Sequence, residues 1–333
     1  MHVTSRDVAR RAGVSQPTVS RVLRGDPRVL PETKERILRA TRELGYVPAS
    51  VGRSLSTQTT GQVAVVADLG NPLYPSLMAP VHDQLASAGL KMVLLTERTD
   101  DALLSRHLLD RSVDGVLLTT VSHGSRLPRE LRRRSVPFVF LNRYIGGVAA
   151  DRAVADNRGG AALVADLLLD LGHRDIGLIM GPQDTSTTRD RERGFQERLA
   201  AAGVELPADR IVHGGLKHDD GVQGFGRIRS GGKTPTAVFC VNDFVAVGAF
   251  NAALTAGLRI PEDVAIVGFD DVSMAAWPAF DLTTVNVPVD EMARAATQLL
   301  ITRIRGEGPE RPRHQTFTTS LVLRRTHGGQ REP

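Results

Sequence analysis

Apolar residues in this chain follow two different periods, and the change falls near residue 61. Up to residue 44 they recur at helical spacing. Thr4 is placed to cap a helix whose third position is Asp7, a carboxylate at the positive helix end, with Val8, Ala9 and Ala12 on one apolar side. Gly13 ends that helix, and Val14 is expected as a buried turn residue. Ser15 then caps a second helix at 16–23, where Pro17 occupies the first turn and its missing N–H costs nothing. Val19, Val22 and Leu23 turn inward, which leaves Gln16, Pro17, Thr18, Ser20 and Arg21 for an outside partner. Pro31 opens a third helix that reaches Leu44, with Ile37, Ala40, Thr41 and Leu44 at helical spacing and Gly45 as its stop. Leu30 offers no side-chain oxygen at the capping position, so this start is expected to fray or to use another acceptor.

Residues 56–61, STQTTG, are polar and read as a linker. Beyond them, short apolar blocks alternate with helical stretches. A first series places strands at 62–68, 91–96, 115–120 and 138–142, with helices at 75–88, 103–110 and 129–134. A second places helices at 157–171, 188–202 and 244–256, with strands at 175–180, 210–212, 237–241, 264–270 and 282–287. Alternation of this kind predicts parallel sheets wrapped by helices, and two series in tandem predict two lobes.

A length of 333 residues suits two or three domains and a full core. Charge sharpens the division. Residues 1–60 carry eleven Lys and Arg against five Asp and Glu, a net of +6, whereas the whole chain carries 42 against 37. All the net positive charge therefore sits at one end, the electrostatic footprint of phosphate binding. One cysteine, Cys240, excludes an internal disulfide framework. The start MHVTSRDVARR has no apolar run after its charges, and no stretch approaches a membrane span in length, so a soluble, cytoplasmic protein without membrane contact is expected.

In open parallel sheets, ligands bind outside the carboxyl ends of the strands. Those ends carry Asp68 to Tyr74, Asn142 with Arg143, Asn242 with Asp243, and Asp270 with Asp271; Arg189 follows the GPQDTST loop. Amides, carboxylates and a guanidinium fit a polyhydroxylated ligand better than a lipid. Enzymatic motifs are wanting. GFGRIRSGG lacks both P-loop spacing and the third glycine of GxGxxG, and there is no HExxH, cysteine cluster or GxSxG elbow. Neither an enzyme, a metal nor a cofactor is expected. His173 follows Gly172 at a predicted helix end and is expected to satisfy terminal carbonyls there.

The run VTSRDVARRAGVSQPTVSRVLRG, then RVLPETKERILRATRELGYVP, then RSL, resembles the DNA-binding headpiece of the LacI/GalR family of bacterial transcription regulators, and the resemblance continues along nearly the whole chain. It implies that Gln16, Pro17 and Arg21 face bases, with Arg21 suited to bidentate contact with guanine, and that Thr4, Ser15, Thr18, Ser20, Thr33 and Tyr46 touch phosphates. ASVGRSLS resembles the family's hinge helix. Leu55 would be the leucine pushed into the minor groove, with Arg53 alongside, and Gly52 weakens the helix enough that it is expected to form only on DNA.

By the same resemblance the rest is a periplasmic-binding-protein-like effector module, in which Asn142, Arg189, Asn242 and Asp270 fall on ligand-contact positions and Tyr74 flanks the cleft. The implied architecture is α/β, an all-α helix-turn-helix headpiece followed by two doubly wound parallel-sheet lobes. The domains are 1–48 for DNA binding, 49–60 for hinge and linker, and 61–328 for effector binding and dimerisation. Two features depart from the family. Leu216 stands where many relatives have an aromatic residue, with Trp277 as either a substitute or a packing residue. Five glycines in GVQGFGRIRSGGK, where relatives have a helix, predict a short or irregular element. The expected function is a ligand-responsive regulator, a repressor, binding a pseudo-palindromic operator as a homodimer and not as a tetramer. Its effector is a sugar or sugar derivative, with a nucleobase or nucleoside as the alternative, and a solute receptor as a remote one.

Overall fold

The headpiece forms as its capping residues dictate. The computed structural model describes residues 3–23, 26–46, 59–96, 108 and 112–328, and the chain divides into two compact units, Met1–Thr60 and Gly61–Pro333. In the first, α1 (Ser5–Ala12), α2 (Gln16–Leu23) and α3 (Pro31–Glu43) enclose a core of Val8, Ala9, Ala12, Val19, Val22, Ile37 and Ala40. The Asp7 carboxylate accepts from the Thr4 amide at 2.9 Å and the Thr4 hydroxyl at 2.6 Å, and these bonds hold its pKa below the usual carboxylate value. Gly13 takes φ 62°, the left-handed turn that lets the chain reverse into α2. Leu30 makes no side-chain cap to α3. Residues 47–58, with the hinge sequence, lie outside the described residues, as does most of the helix expected at 103–110.

The second unit is α/β. One sheet has the order β11-β5-β4-β3-β1-β2, all parallel: β1 (Gln62–Ala67), β2 (Lys91–Thr96), β3 (Gly115–Leu118), β4 (Phe138–Leu141), β5 (Asp151–Ala155) and β11 (His314–Phe317). The other has the order β7-β6-β8-β9, also parallel: β6 (Ile176–Met180), β7 (Ile211–His213), β8 (Ala237–Cys240) and β9 (Ala265–Val267). An antiparallel ribbon joins β10 (Thr284–Asn286) to β12 (Ser320–Val322). The helices in chain order are α4 (Leu73–Ser87), α5 (Leu127–Arg133), α6 (Asn157–Asp170), α7 (Ser186–Ala201), α8 (His218–Arg229), α9 (Asp243–Thr255) and α10 (Val289–Ile304).

The lobes are not simply in tandem. Strands β5 and β11, absent from the sequence reading, complete the first sheet, and α10 returns from the second lobe to pack on α4, β4 and β5. A buried carboxylate fixes this return. Asp151 accepts from Arg303 Nε at 2.9 Å and Nη2 at 2.8 Å, and from Arg313 N at 2.8 Å and Nη2 at 3.0 Å, tying α10 and the approach to β11 onto the start of β5.

The glycine-rich stretch also differs from its expectation: Asp220 caps a regular helix α8 by accepting from the Lys217 amide at 2.9 Å. Its glycines serve close approach. A Cβ on Gly221 would lie 2.0 Å from Val245 O, and one on Gly248 of α9 would lie 1.9 Å from His218 O, so α8 and α9 pack nearly backbone to backbone. His173 likewise does another task. Its ring contacts the Thr236 hydroxyl and Gly328 O, both at 3.0 Å, while Arg174 Nη1 donates to Leu169 O at the helix end.

Candidate effector cleft and reading helix

Helix α7 carries the feature around which the cleft is built. Thr188, Arg191, Phe195 and Leu199 are all buried, so an arginine occupies the inner stripe of the helix. Arg191 Nη2 donates to Asp270 Oδ1 at 2.8 Å and Nε donates to Asn157 Oδ1 at 2.8 Å. Its Nη1 donates to Val241 O, and the guanidinium lies 3.7 Å over the Phe269 ring. The two charged side chains are 3% and 4% exposed. Burial pushes the Asp270 carboxyl above its usual value, and Arg191 and then Arg143 pull against that shift.

Arg189, expected beside Asp270, is exposed instead, and its charge acts on Tyr144 and Asp190. Residues two apart on a helix point about 200° from one another, so only one arginine of the pair can face inward. The signal was available in the sequence. Arg191 stands three residues after Thr188 and four before Phe195, the spacing of a buried face.

The other expected cleft residues take these places. Asn142, at the end of β4, is buried with φ 72°, and Asp270 has φ 110°. Positive φ at two buried non-glycine residues is costly and tends to mark functional positions. Tyr74, buried on α4, is raised in pKa by burial, with opposing help from the Arg143 charge, added push from Asp270, and a hydrogen bond with Asn142. The first lobe's Tyr74, Asn142 and Arg143 thus meet the second lobe's Asp270 in one electrostatic neighbourhood. Asn242 accepts from Val245 N at 2.8 Å, capping α9, and its Nδ2 donates to Leu216 O at 3.3 Å. Leu216 packs over Gly181 at the end of β6. Trp277 is 54% exposed and stacked on Phe280 at 6.4 Å, apart from this set.

Asp243 is fully buried, and desolvation drives its carboxyl well above the usual range. It accepts from the Thr284 hydroxyl and from Val272 N, which holds the loop presenting Asp270. The lobes also touch directly. Tyr144 N donates to Ser186 Oγ at 3.0 Å, the Tyr144 hydroxyl donates to Asp190 at 3.1 Å, and His123 N donates to Asp184 O at 2.8 Å.

In the headpiece, Gln16, Pro17 and Arg21 are exposed on α2. Ser15 contacts the Thr18 hydroxyl at 2.8 Å and caps the helix start, and Gln16 Nε2 reaches Ser5 Oγ at 3.3 Å. Thr4 is exposed, while Thr18, Ser20, Thr33 and Tyr46 are half-buried. Arg53 and Leu55 lie outside the described residues. Among the described residues no group of acidic, His or Cys side chains is arranged to hold a metal, and no helix is long and apolar enough to cross a membrane.

Residues 4–49 match the family described as bacterial regulatory proteins, lacI family, and residues 165–327 match the periplasmic binding protein-like domain. Over 327 residues the chain is 36% identical to the HTH-type transcriptional regulator CelR of Thermobifida fusca, covering 95% of this chain and 96% of that protein. The chain belongs to the LacI family of bacterial regulatory proteins. It is similar to the solved complex of CelR with cellobiose at a TM-score of 0.77 and 34% identity, covering 98% of this chain and 100% of that one. It is also similar to a lac repressor dimer bound to operator and the anti-inducer ONPF, at a TM-score of 0.83 and 25% identity, covering 98% and 99%. As a LacI-family member the protein is a transcriptional regulator and not an enzyme, with a helix-turn-helix region and a periplasmic-binding-protein-like effector module.

Proposed function

We propose that this cytoplasmic regulator is a repressor that binds a pseudo-palindromic operator as a homodimer and adjusts its DNA affinity to a sugar or sugar derivative bound between the lobes. The observation that carries the effector part is the meeting of Tyr74, on α4, with Asn142 and Asp270 at strand ends, and the bond from Arg191 of α7 to Asp270 in the place first given to Arg189, with Asn242 at the end of β8. The likeness to a CelR–cellobiose complex supports a sugar. A ligand shifts DNA affinity only by its differential affinity for the two lobe arrangements. With operator measured by fluorescence anisotropy, at least one member of a panel containing cellobiose, glucose and ribose should change Kd by about 5- to 150-fold. No change with any sugar would reject the sugar reading.

The DNA part rests on the exposed face of α2 and the basic first 60 residues. One short helix contacts too few bases for specificity, which requires two subunits on two half-sites. The dimeric lac repressor relative supports association. We assign 1–48 to DNA binding, 49–60 to the hinge and linker, and 61–328 to effector binding and dimerisation. Gln16, Pro17 and Arg21 read bases, while Thr4, Ser15, Thr18, Ser20, Thr33 and Tyr46 lie toward phosphates.

Arg21→Ala should relax preference at one base pair per half-site by about 1 to 3 kcal/mol. Selection from a randomised operator pool checks this, and an unchanged consensus would reject the contact. Leu55→Ala should reduce operator bending in circular-permutation gel shifts, because an apolar wedge is what unstacks the base step. An equal bend would remove Leu55 and its neighbour Arg53 from the minor-groove role.

A further inference from the structure

The loop between α2 and α3 holds an arginine in a fixed pose. Asp26 Oδ1 accepts from Arg28 Nε at 2.9 Å and Asp26 Oδ2 accepts from Arg28 Nη2 at 2.8 Å, while the Arg28 amide donates to Asp26 Oδ1 at 3.0 Å. These bonds, followed by the Arg28 and Arg21 charges, hold the Asp26 carboxyl below its usual value. By contrast Arg10, exposed on α1, reaches Asp7 through its Nη1 alone at 3.4 Å. The Asp26 side chain is 14% exposed and that of Arg28 is 85% exposed, so the anchor is sheltered and the cation stands in solvent.

The pair lies beside the reading residue. The Asp26 amide donates to Arg21 O at 3.1 Å, and the Arg21 charge acts on the Asp26 carboxylate. An acid at this place works against phosphate binding, because it cancels one of the charges that attract the duplex. What it contributes is orientation. It occupies the Nε–Nη2 edge of the guanidinium and leaves the Nη1–Nη2 end of the fork open to solvent. A free arginine gives up rotamer freedom when it meets a base, and one already held gives up less. Such orientation matters little for a phosphate, which positions without specifying, and much for the O6 and N7 acceptors of a guanine.

We infer that Arg28 reads a guanine in each operator half-site, distinct from the base pair met by Arg21, and that Asp26 is the positioning residue that presents its open end. This rests on α2 being the reading helix.

The test puts the full-length protein and its Arg28→Ala, Arg28→Lys and Asp26→Asn variants through selection from a randomised operator pool, with Arg21→Ala alongside. Kd is then measured by fluorescence anisotropy at several salt concentrations, on the selected operator and on random duplex. Arg28→Ala should lose a guanine preference of about 5- to 150-fold at one base pair that Arg21→Ala leaves intact. Arg28→Lys keeps the charge without the fork, and should lose most of the same preference while its salt dependence stays unchanged. Asp26→Asn can still accept from the Arg28 amide but no longer from both guanidinium nitrogens. It should weaken the preference at that same base pair and, with one acid fewer, bind random duplex more tightly, a combination that damage to the headpiece does not produce. An unchanged consensus in Arg28→Ala would overturn base reading. So would a uniform loss of affinity with the salt slope reduced by about one, which would make Arg28 a phosphate contact. An unchanged preference in Asp26→Asn would overturn the positioning role. If the unsubstituted protein selects no sequence, the reading helix falls as well; if Arg21→Ala relaxes its base pair and Arg28→Ala relaxes none, only this inference falls.

Discussion

Replacing Arg191 with methionine should destabilise the effector module by about 3 to 5 kcal/mol and abolish its response to ligand, because Asp270 would be left buried without its counter-charge. The change removes three hydrogen-bond donors at once, to Asp270, Asn157 and Val241, together with the face-on contact with Phe269. Arg189→Met, two residues away and exposed, should cost no more than about 0.5 kcal/mol. Urea denaturation followed by fluorescence and circular dichroism separates the two, and similar losses in both variants would reject the inward assignment of Arg191. The double substitution Arg191→Met with Asp270→Leu should recover much of the lost stability, since an apolar pair replaces a buried ion pair at little cost. It should not recover the ligand response. Stability and sensing are thus separable at this pair, and operator binding in the absence of ligand should persist in every variant that folds.

The second large effect concerns glycines in and beside one helix, with opposite signs expected. Gly248→Ala would place a methyl 1.9 Å from His218 O, and Gly221→Ala would place one 2.0 Å from Val245 O. Neither backbone can yield without separating α8 from α9, so each should cost about 1 to 3 kcal/mol, the range of overpacking. Gly226→Ala, on the exposed side of α8 with nothing within 4 Å of its Cβ position, should stabilise by about 0.5 to 1 kcal/mol through helix propensity. Thermal midpoints of the three variants decide it. A stabilising Gly248→Ala would show that the two helices are not held at backbone contact.

The glycine result explains one limit of reading the chain alone. Gly221, Gly224 and Gly226 look alike in sequence, and propensity counts each against a helix. Gly221 and Gly224 are buried against α9 and Ile179, whereas Gly226 faces outward. A missing side chain leaves no apolar pattern from which to infer the neighbouring surface. Arg191 is a different case, since its phase with Thr188 and Phe195 was present in the sequence and was obscured by the neighbouring Arg189.

The amino-acid order by itself determined the elements whose cause is local. The capped start at Thr4 and Asp7, the turn at Gly13, the apolar faces of three headpiece helices, and most sheet strands followed from periodicity and turn chemistry. It also placed Asn142, Asn242 and Asp270 at strand ends. Only the tertiary structure decided that β5 and β11 close the first sheet and that α10 returns to it over Asp151. Periodicity records whether a residue is buried, whereas strand neighbours and charge partners far apart in the chain are chosen by competition among packings, which no local pattern encodes.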